Sequence, residues 1–472
     1  MAGKLFQILG TMLICTTTVN MGVIFAWPAF TIMLFQSPNT TLHRPMTDTE
    51  ISLFSSMGMI GALISIPTSG YLLDKIGRKR YCLLNSFILS MVWSILTFSR
   101  RVEMVLTAIF LSGLSFTVFV VAGTFISEIC EPSIRGTMTA TNMVAYGIGM
   151  LLSYLLGGYL QYEVMLYVGL SLTVAAMCLL SILKESPIHL MSKGFEKEAM
   201  QSIAFYKNLK LDSKDIVEEI NSIKRSLNPD LDETTPEEEK LKPELKPVEK
   251  LSLWKFIKKS RSSRKAFFTT FFLMTAAISQ GLVVVQIHAE RLFHDAIPTV
   301  APTLLSVILA VAVTGSGMVA AFLTDLAGRR PLMIYASLGT GISCMVLGTQ
   351  LQFHWGPTWI TAVFMYVYPV MYTCGAGTVP FVLLSELFLP EVKSIFSMIL
   401  VEYACLCNFV ILFIFNPLLK AVGWGPVFYI FATLSFLSSS FCVFFLPETK
   451  GLNVEEIQTV FARKRTPKNV AA

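Results

Sequence analysis

Acidic and basic side chains stand at matching places in two halves of the sequence. Residues 70–80 read GYLLDKIGRKR and residues 324–330 read TDLAGRR, so both contain Asp-x-x-Gly-Arg followed by Lys or Arg. The Asp and the Arg of the shared motif are Asp74 and Arg78 in the first copy, and Asp325 and Arg329 in the second. A carboxylate and a guanidinium can pair in one conformation and separate in another. The pattern therefore favours switching between conformations, and its glycine permits a tight turn between two helices.

No combination of residues indicates catalysis, a metal or a bound cofactor. The nine cysteines include no Cys-x-x-Cys spacing, and the five histidines are scattered. Cysteines inside apolar runs, such as Cys15, Cys130 and Cys344, behave as small buried hydrophobic residues. No nucleophile–base pair and no phosphate-binding glycine loop is present. We predict that the chain is not an enzyme and uses no metal or cofactor.

Each copy of the charged motif lies between two long apolar runs. Hydrophobic residues make up 54% of the 472 residues, charged residues 14%, and the mean hydropathy is +0.63. The formal net charge of +6 reflects Lys and Arg in cytoplasmic loops, so we predict no nucleic-acid partner. Runs of about 20 apolar residues cross a bilayer. The composition predicts a membrane protein that contacts lipid, and it indicates no obligate protein partner.

Twelve runs have the length of a transmembrane helix. The first six lie near residues 8–34, 51–73, 81–98, 103–127, 137–160 and 164–183, and the second six near 266–292, 303–323, 331–351, 358–387, 395–419 and 424–446. An even count puts both termini on one side of the membrane, and the distribution of Lys and Arg makes that side the cytosol. We predict an all-α membrane protein of two six-helix bundles.

The predicted domains follow from the spans. They are an N-terminal bundle at 1–190, cytoplasmic helices and a linker at 191–263, a C-terminal bundle at 264–452 and a cytoplasmic tail at 453–472. Apolar residues at helical spacing predict amphipathic helices within 193–226: Ala199, Ile203, Tyr206, Ile216, Ile220 and Ile223. The polar composition of 228–250 predicts a flexible linker.

Six motifs make the sequence resemble the sugar porter family of the major facilitator superfamily. They are residues 74–80, Glu128 with Arg135-Gly136, Glu185-Ser186-Pro187, residues 325–330, Pro380 to Glu386 with Pro390, and the PETKG motif at 447–451. The last motif is typical of the end of the twelfth span in sugar porters. Within the family the chain is most similar to the insect facilitated trehalose and glucose transporter-like members, and Trp27-Pro28-Ala29 fits that branch.

The resemblance implies the major facilitator fold, in which two bundles rock about a site near the membrane midplane. It also implies facilitated diffusion of a hexose or trehalose-like sugar across the cell membrane. Charged residues at cytoplasmic helix ends would form a gating network: Asp74, Arg78, Glu128, Arg135, Glu185, Asp325, Arg329, Glu386 and Glu448. Asn20 stands where proton-coupled members carry Asp. We therefore expect no proton coupling unless Glu402, an acid inside the eleventh span, supplies it.

The predicted substrate site departs from the family pattern. The seventh span of the family usually reads Gln-Gln-x-x-Gly-x-Asn, whereas residues 277–283 read AISQGLV. The candidates for substrate binding are Gln280, Gln286, His288, Asn142, Asn408 and Phe381, the last at the position of a family Trp. Three interpretations stay open: a sugar held by this altered set, a less polar metabolite, or a sugar sensor that does not transport.

The link between the first two spans carries one candidate modification site. Asn39-Thr40-Thr41 is an acceptor pattern for N-glycosylation. The predicted topology puts this link outside the cell, so we expect Asn39 to be glycosylated.

Overall fold

The computed structural model is almost wholly helical in the residues that it describes, which are 2–210, 213–227, 261–388, 390–452 and 454–462. The chain divides into two compact units, residues 1–250 and 251–472. Twelve helical segments are long and apolar enough to cross a membrane, six in each unit. The predicted all-α architecture with twelve spans is confirmed. The linker predicted at 228–250 and the tail end, 463–472, lie outside the described residues.

In the first unit, eight helices make the six spans. They are α1 (Ala2–Ala26), α2 (Pro28–Gln36), α3 (Asp48–Ile76), α4 (Arg78–Phe98), α5 (Val102–Leu114), α6 (Val118–Ile129), α7 (Pro132–Tyr159) and α8 (Tyr162–Ile182). The first span is α1 followed by α2. Pro28 is the first residue of α2, where a backbone N–H would have no partner within the helix, so the missing N–H of proline costs no hydrogen bond. The fourth span is α5 followed by α6.

The bend in the first span carries an aromatic cluster. Trp27 is fully buried, and its ring centroid lies 5.5 Å from that of Phe54, 5.8 Å from that of Phe35 and 6.2 Å from that of Trp93. Edge-to-face pairs of this kind add to the free energy gained by burying the rings. The cluster joins α1 and α2 to α3 and α4, so it fixes how the first span enters the bundle.

Three further helices follow the sixth span: α9 (Pro187–Ser192), α10 (Glu196–Lys207) and α11 (Lys214–Leu227). They pack through Leu190, Ala199, Ile203, Ile216 and Ile220, all buried. Four of the apolar residues that predicted amphipathic helices, Ala199, Ile203, Ile216 and Ile220, belong to this buried set. Tyr206 is also buried, and its hydroxyl donates to the carbonyl oxygen of Lys184 at 2.7 Å, which ties α10 to the segment that follows α8.

In the second unit, ten helices are described. They are α12 (Arg261–Ser279), α13 (Leu282–Ile287), α14 (Ala289–Ala296), α15 (Pro302–Ala327), α16 (Arg329–Phe353), α17 (Thr358–Cys374), α18 (Val379–Glu386), α19 (Pro390–Val422), α20 (Trp424–Phe445) and α21 (Val454–Ala462). The seventh span is α12 followed by α13, and the tenth is α17 followed by α18. Helix α16 packs closely along α20 and α17.

Candidate functional site

The first cluster of charged residues lies at the junction of α3 and α4. Arg78 donates from Nε at 3.1 Å and from Nη2 at 2.9 Å to Oε1 of Glu128, the next-to-last residue of α6. Only 14% of the Arg78 side chain and 9% of the Glu128 side chain are exposed. An exposed ion pair contributes about 0–1 kcal/mol, whereas a shielded charge-assisted hydrogen bond contributes about 1.5–3 kcal/mol. This pair therefore belongs to the stronger class.

The carboxylate of Glu185 caps the beginning of α4. Its Oε1 accepts hydrogen bonds from the backbone N–H groups of Arg78 at 2.8 Å and Lys79 at 2.9 Å. The first N–H groups of a helix have no partner within the helix, and the helix dipole favours an anion there. Gly77 precedes the helix with φ 95° and ψ 171°, a conformation essentially restricted to glycine. A Cβ at Gly77 would lie 2.5 Å from Oε2 of Glu185, so the glycine also makes room for the carboxylate.

The second cluster repeats this geometry at the junction of α15 and α16. Arg329 donates from Nε at 3.1 Å and from Nη2 at 2.5 Å to the two carboxylate oxygens of Glu386, the last residue of α18. Glu448 accepts hydrogen bonds from the backbone N–H groups of Arg329 and Arg330, each at 3.1 Å. Gly328 has φ 90° and ψ 162°. Both units therefore use one Arg, one carboxylate on a neighbouring span and one capping carboxylate.

The first cluster contains two further side chains. The hydroxyl of Ser186 donates to Oε2 of Glu128. Nδ1 of His189 lies 3.1 Å from Nη1 of Arg78, and the His189 residue is only 6% exposed. Because Arg78 is always a donor, Nδ1 must accept, which requires a neutral imidazole with its proton on Nε2. Burial lowers the pKa of His189 from its ordinary value, and the charge of Glu185 acts in the opposite direction. At neutral pH this histidine supports the orientation of Arg78.

Of the other three residues predicted for the gating network, two are exposed and the side chain of the third is not described. Asp74 is exposed on the last turns of α3. Arg135 is exposed on α7, and its Nη2 lies 3.5 Å from the carbonyl oxygen of Cys130. The side chain of Asp325 lies outside the described residues. The structure thus brings together six of the nine predicted residues, three in each unit: Arg78, Glu128 and Glu185, and Arg329, Glu386 and Glu448.

Among the predicted substrate-binding residues, Asn142 already has partners within the first unit. Its Oδ1 accepts a hydrogen bond from the Thr18 hydroxyl at 2.8 Å, and its Nδ2 donates to the carbonyl oxygen of Phe119 at 2.9 Å. The residue is 3% exposed. Asn142 therefore joins α7 to α1 and to α6. A role in substrate binding would require it to exchange one of these bonds.

The predicted residues of the second unit differ in exposure. Phe381 is 53% exposed, and Asn408 is partly buried with its Nδ2 donating to the carbonyl oxygen of Ala404 at 3.1 Å. Gln286 is 8% exposed. His288 is fully buried, its ring centroid lies 4.8 Å from that of Phe415, and neither ring nitrogen has a hydrogen-bond partner among the described residues.

Gln280 lies where the seventh span is interrupted. Helix α12 ends at Ser279, Gly281 has φ 82° and ψ 14°, and α13 begins at Leu282. Gln280 is fully buried, and within the described part of the chain neither its side-chain oxygen nor its side-chain nitrogen has a hydrogen-bond partner. An amide left in this state costs about 1–3 kcal/mol. Gln280 therefore has both a donor and an acceptor available for a polar ligand.

Sequence reasoning missed two side chains that the structure joins to these sites. His189 lies after the sixth predicted span, four residues after Glu185, and nothing in its spacing indicated contact with Arg78. Tyr368 of α17 donates its hydroxyl to the carbonyl oxygen of Gln280 at 2.6 Å. Its aromatic ring in an apolar span carries no signal that distinguishes it from packing residues.

Comparisons with known proteins agree with this architecture. The family model described as "Sugar (and other) transporter" matches residues 5–461. A facilitated trehalose transporter Tret1 of Polypedilum vanderplanki is 22% identical and covers 98% of this chain and 90% of its own length. The sugar transporter ERD6-like 7 of Arabidopsis thaliana is 26% identical over 88% of this chain and 86% of its own length. Some relatives are longer: the match to Tret1 of Aedes aegypti covers 56% of that protein.

The solved structures that are similar share the fold. The xylose transporter XylE from E. coli, in a partially occluded inward-open conformation, superposes with a TM-score of 0.74 at 20% identity, covering 95% of this chain and 99% of XylE. The match to the transporter family model over residues 5–461, together with the twelve apolar helices, identifies a multi-pass membrane transporter and not an enzyme. The chain belongs to the sugar transporter family, which confirms the resemblance drawn from its motifs.

Proposed function

We propose that the chain carries a sugar, a hexose or a trehalose-like disaccharide, down its gradient across the cell membrane by alternating access. The observation that supports this proposal most directly is the repeated cluster, because the same Arg, acid and capping acid occur in both units. The trehalose transporters among its relatives support the substrate class. Both termini lie in the cytosol in this proposal, and Asn39, exposed in the link between α2 and α3, carries a glycan.

The clusters set the balance between conformations. In each cluster, one carboxylate accepts hydrogen bonds from the Arg side chain, and a second carboxylate accepts them from backbone N–H groups at the beginning of the helix that carries this Arg. The cluster thereby joins three segments of the chain. Because the ion pairs are shielded from solvent, their hydrogen bonds are strong enough to stabilise one conformation. Because these bonds are few, the free-energy difference between the two conformations stays within a few kcal/mol. Asp74, Arg135 and Asp325 belong to this gating role in our proposal as residues that change partners during the cycle.

Gln280 is the central substrate-binding residue in this proposal. Its amide offers one acceptor and two donors, the groups that a sugar hydroxyl requires. Gln286, His288, Asn408 and the exposed ring of Phe381 add polar and aromatic contacts in the second unit, and Asn142 adds an amide in the first. A ligand hydroxyl that satisfies the buried amide of Gln280 removes a desolvation penalty, which favours sugars over apolar solutes.

Uptake measurements test the proposal. Labelled glucose and trehalose are supplied to oocytes that express the chain, with Gln280→Ala as the test variant and Gln201→Ala, an exposed residue of α10, as the matched control. We expect saturable uptake that falls roughly tenfold in Gln280→Ala and is unchanged in Gln201→Ala. Absence of uptake by protein detected at the cell surface would contradict the sugar assignment. A glycosidase-sensitive mass shift that persists in Asn39→Gln would contradict the glycan at Asn39.

A further inference from the structure

The interruption of the seventh span is held by two neighbouring spans. A break in a helix frees backbone groups that must find partners elsewhere when they are buried in a membrane protein. The Tyr368 hydroxyl supplies one by donating to the carbonyl oxygen of Gln280 at 2.6 Å. Tyr368 is fully buried, so water does not replace this bond when it is lost.

Aromatic rings also pack against the interruption of the seventh span. The ring of Phe431 on α20 fills the space that a Cβ at Gly281 would occupy. Its centroid lies 6.0 Å from that of Phe428, which lies 6.2 Å from that of Tyr368, and both pairs meet edge to face. Tyr368 therefore contacts the break through its hydroxyl and supports the opposing ring through Phe428. The hydroxyl is the part that a single-atom change removes.

We propose that Tyr368 is a positioning residue of the transporter, whose hydroxyl fixes the backbone of Gln280 and thereby the direction in which the Gln280 amide is presented to substrate. This inference rests on the proposed function, in which Gln280 binds the sugar. A carbonyl oxygen held at 2.6 Å restrains the peptide plane that follows Gln280. With Gly281 in a left-handed conformation next to it, that plane would otherwise turn easily.

A pair of tyrosines on α17 provides the test and its control. Tyr368→Phe keeps the ring packed on Phe428 and removes the hydrogen bond to Gln280. Tyr366→Phe removes a hydroxyl that donates at 3.2 Å to the carbonyl oxygen of Leu305, a residue inside helix α15. We expect Tyr368→Phe to raise KM for sugar uptake roughly tenfold with the maximal rate within about twofold. For Tyr366→Phe we expect KM and the maximal rate to stay within about twofold of the wild-type values.

A double-mutant cycle separates positioning from general stabilisation. If Tyr368 acts through Gln280, adding Tyr368→Phe to Gln280→Ala produces little further rise in KM. Independent, multiplying effects of the two substitutions would overturn the inference. So would a Tyr368→Phe variant with lowered surface expression and unchanged KM.

A measurement without substrate keeps the inference testable if the sugar assignment fails. Amide hydrogen exchange of residues 282–287 reports how firmly α13 is held after the break. We expect faster exchange there in Tyr368→Phe and unchanged exchange in Tyr366→Phe. Wild-type protein that takes up no sugar, combined with this exchange difference, would refute the proposed function and preserve the anchoring role. Equal exchange in the wild type and in Tyr368→Phe would refute the anchoring role itself.

Discussion

Replacing Gly77 by alanine should weaken the first cluster through two separate effects, backbone strain and a collision with Glu185. The glycine has φ 95° and ψ 171°, a backbone conformation in which residues other than glycine are strained by about 1–3 kcal/mol. The new methyl group would also lie 2.5 Å from Oε2 of Glu185. Displacing that carboxylate removes its charge-assisted hydrogen bonds to the first N–H groups of α4, which contribute about 1.5–3 kcal/mol. Together the two effects give an expected loss of unfolding free energy of about 2.5–6 kcal/mol.

Two other glycines in the same unit separate the two causes. Gly194 has φ 82° with nothing within 4 Å of the position that a methyl group would occupy, so Gly194→Ala measures backbone strain alone, about 1–2 kcal/mol. Gly70 lies inside α3 with equally open space and no positive φ, so Gly70→Ala should stabilise by about 0.5–1 kcal/mol. Gly328→Ala repeats the Gly77 experiment in the second unit, where the methyl would lie 2.8 Å from Oε2 of Glu448.

The assay is thermal unfolding of the purified variants in detergent, measured side by side. The predicted order of melting temperature is Gly70→Ala highest, then wild type, then Gly194→Ala, with Gly77→Ala and Gly328→Ala lowest. A melting temperature of Gly77→Ala that is no lower than that of Gly194→Ala would contradict the capping of α4 by the carboxylate of Glu185.

Two further predictions concern the charged partners. Arg329→Lys cannot keep the paired bonds to Glu386 and should destabilise the protein by about 1–3 kcal/mol. Arg330→Lys, whose guanidinium donates to the carbonyl oxygen of Val443 at 2.8 Å, is the control, and equal losses in melting temperature would contradict the paired geometry. The second prediction is a pH dependence of the first cluster. The pKa of His189 is lower in the folded chain than in the unfolded chain, so the stabilisation is complete above the ordinary histidine pKa of about 6.5 and declines as the pH falls below it towards the folded value. Unfolding measured from pH 7.5 to pH 5.5 should show a steeper loss in wild type than in His189→Gln, and parallel curves would refute the assignment.

The sequence revealed the clusters because their parts are duplicated. A basic loop after one apolar run is common, but two copies of Asp-x-x-Gly-Arg at matching places are difficult to explain without a repeated structure. The apolar runs also predicted the twelve spans, since length alone identifies a helix that can cross a bilayer. The partners Glu128, Glu386 and Glu448 came from the family resemblance, and the structure adds that Glu185 and Glu448 cap helices.

The contacts between side chains of different helices depend on which helices are neighbours. The spacing of apolar residues within one helix does not show which helix packs against it. Arg135 was predicted to join the network, and the structure has it exposed on α7. Asn142 stays a predicted substrate-binding residue, and its hydrogen bonds with Thr18 and Phe119 had no signal in the sequence. His189 and Tyr368 act on residues distant in sequence, Arg78 and Gln280. Only the folded chain brings His189 beside Arg78 and Tyr368 beside the break in the seventh span.

Counterflow in reconstituted vesicles tests the central claim most directly. Vesicles loaded with unlabelled sugar are diluted into a trace of labelled glucose or trehalose at equal pH on both sides. A carrier that works by alternating access without ion coupling accumulates the label transiently above its outside concentration. We predict such an overshoot for the wild type, unchanged by a pH gradient and greatly reduced in Gln280→Ala. Purified, folded protein that produces no overshoot with either sugar would contradict the account.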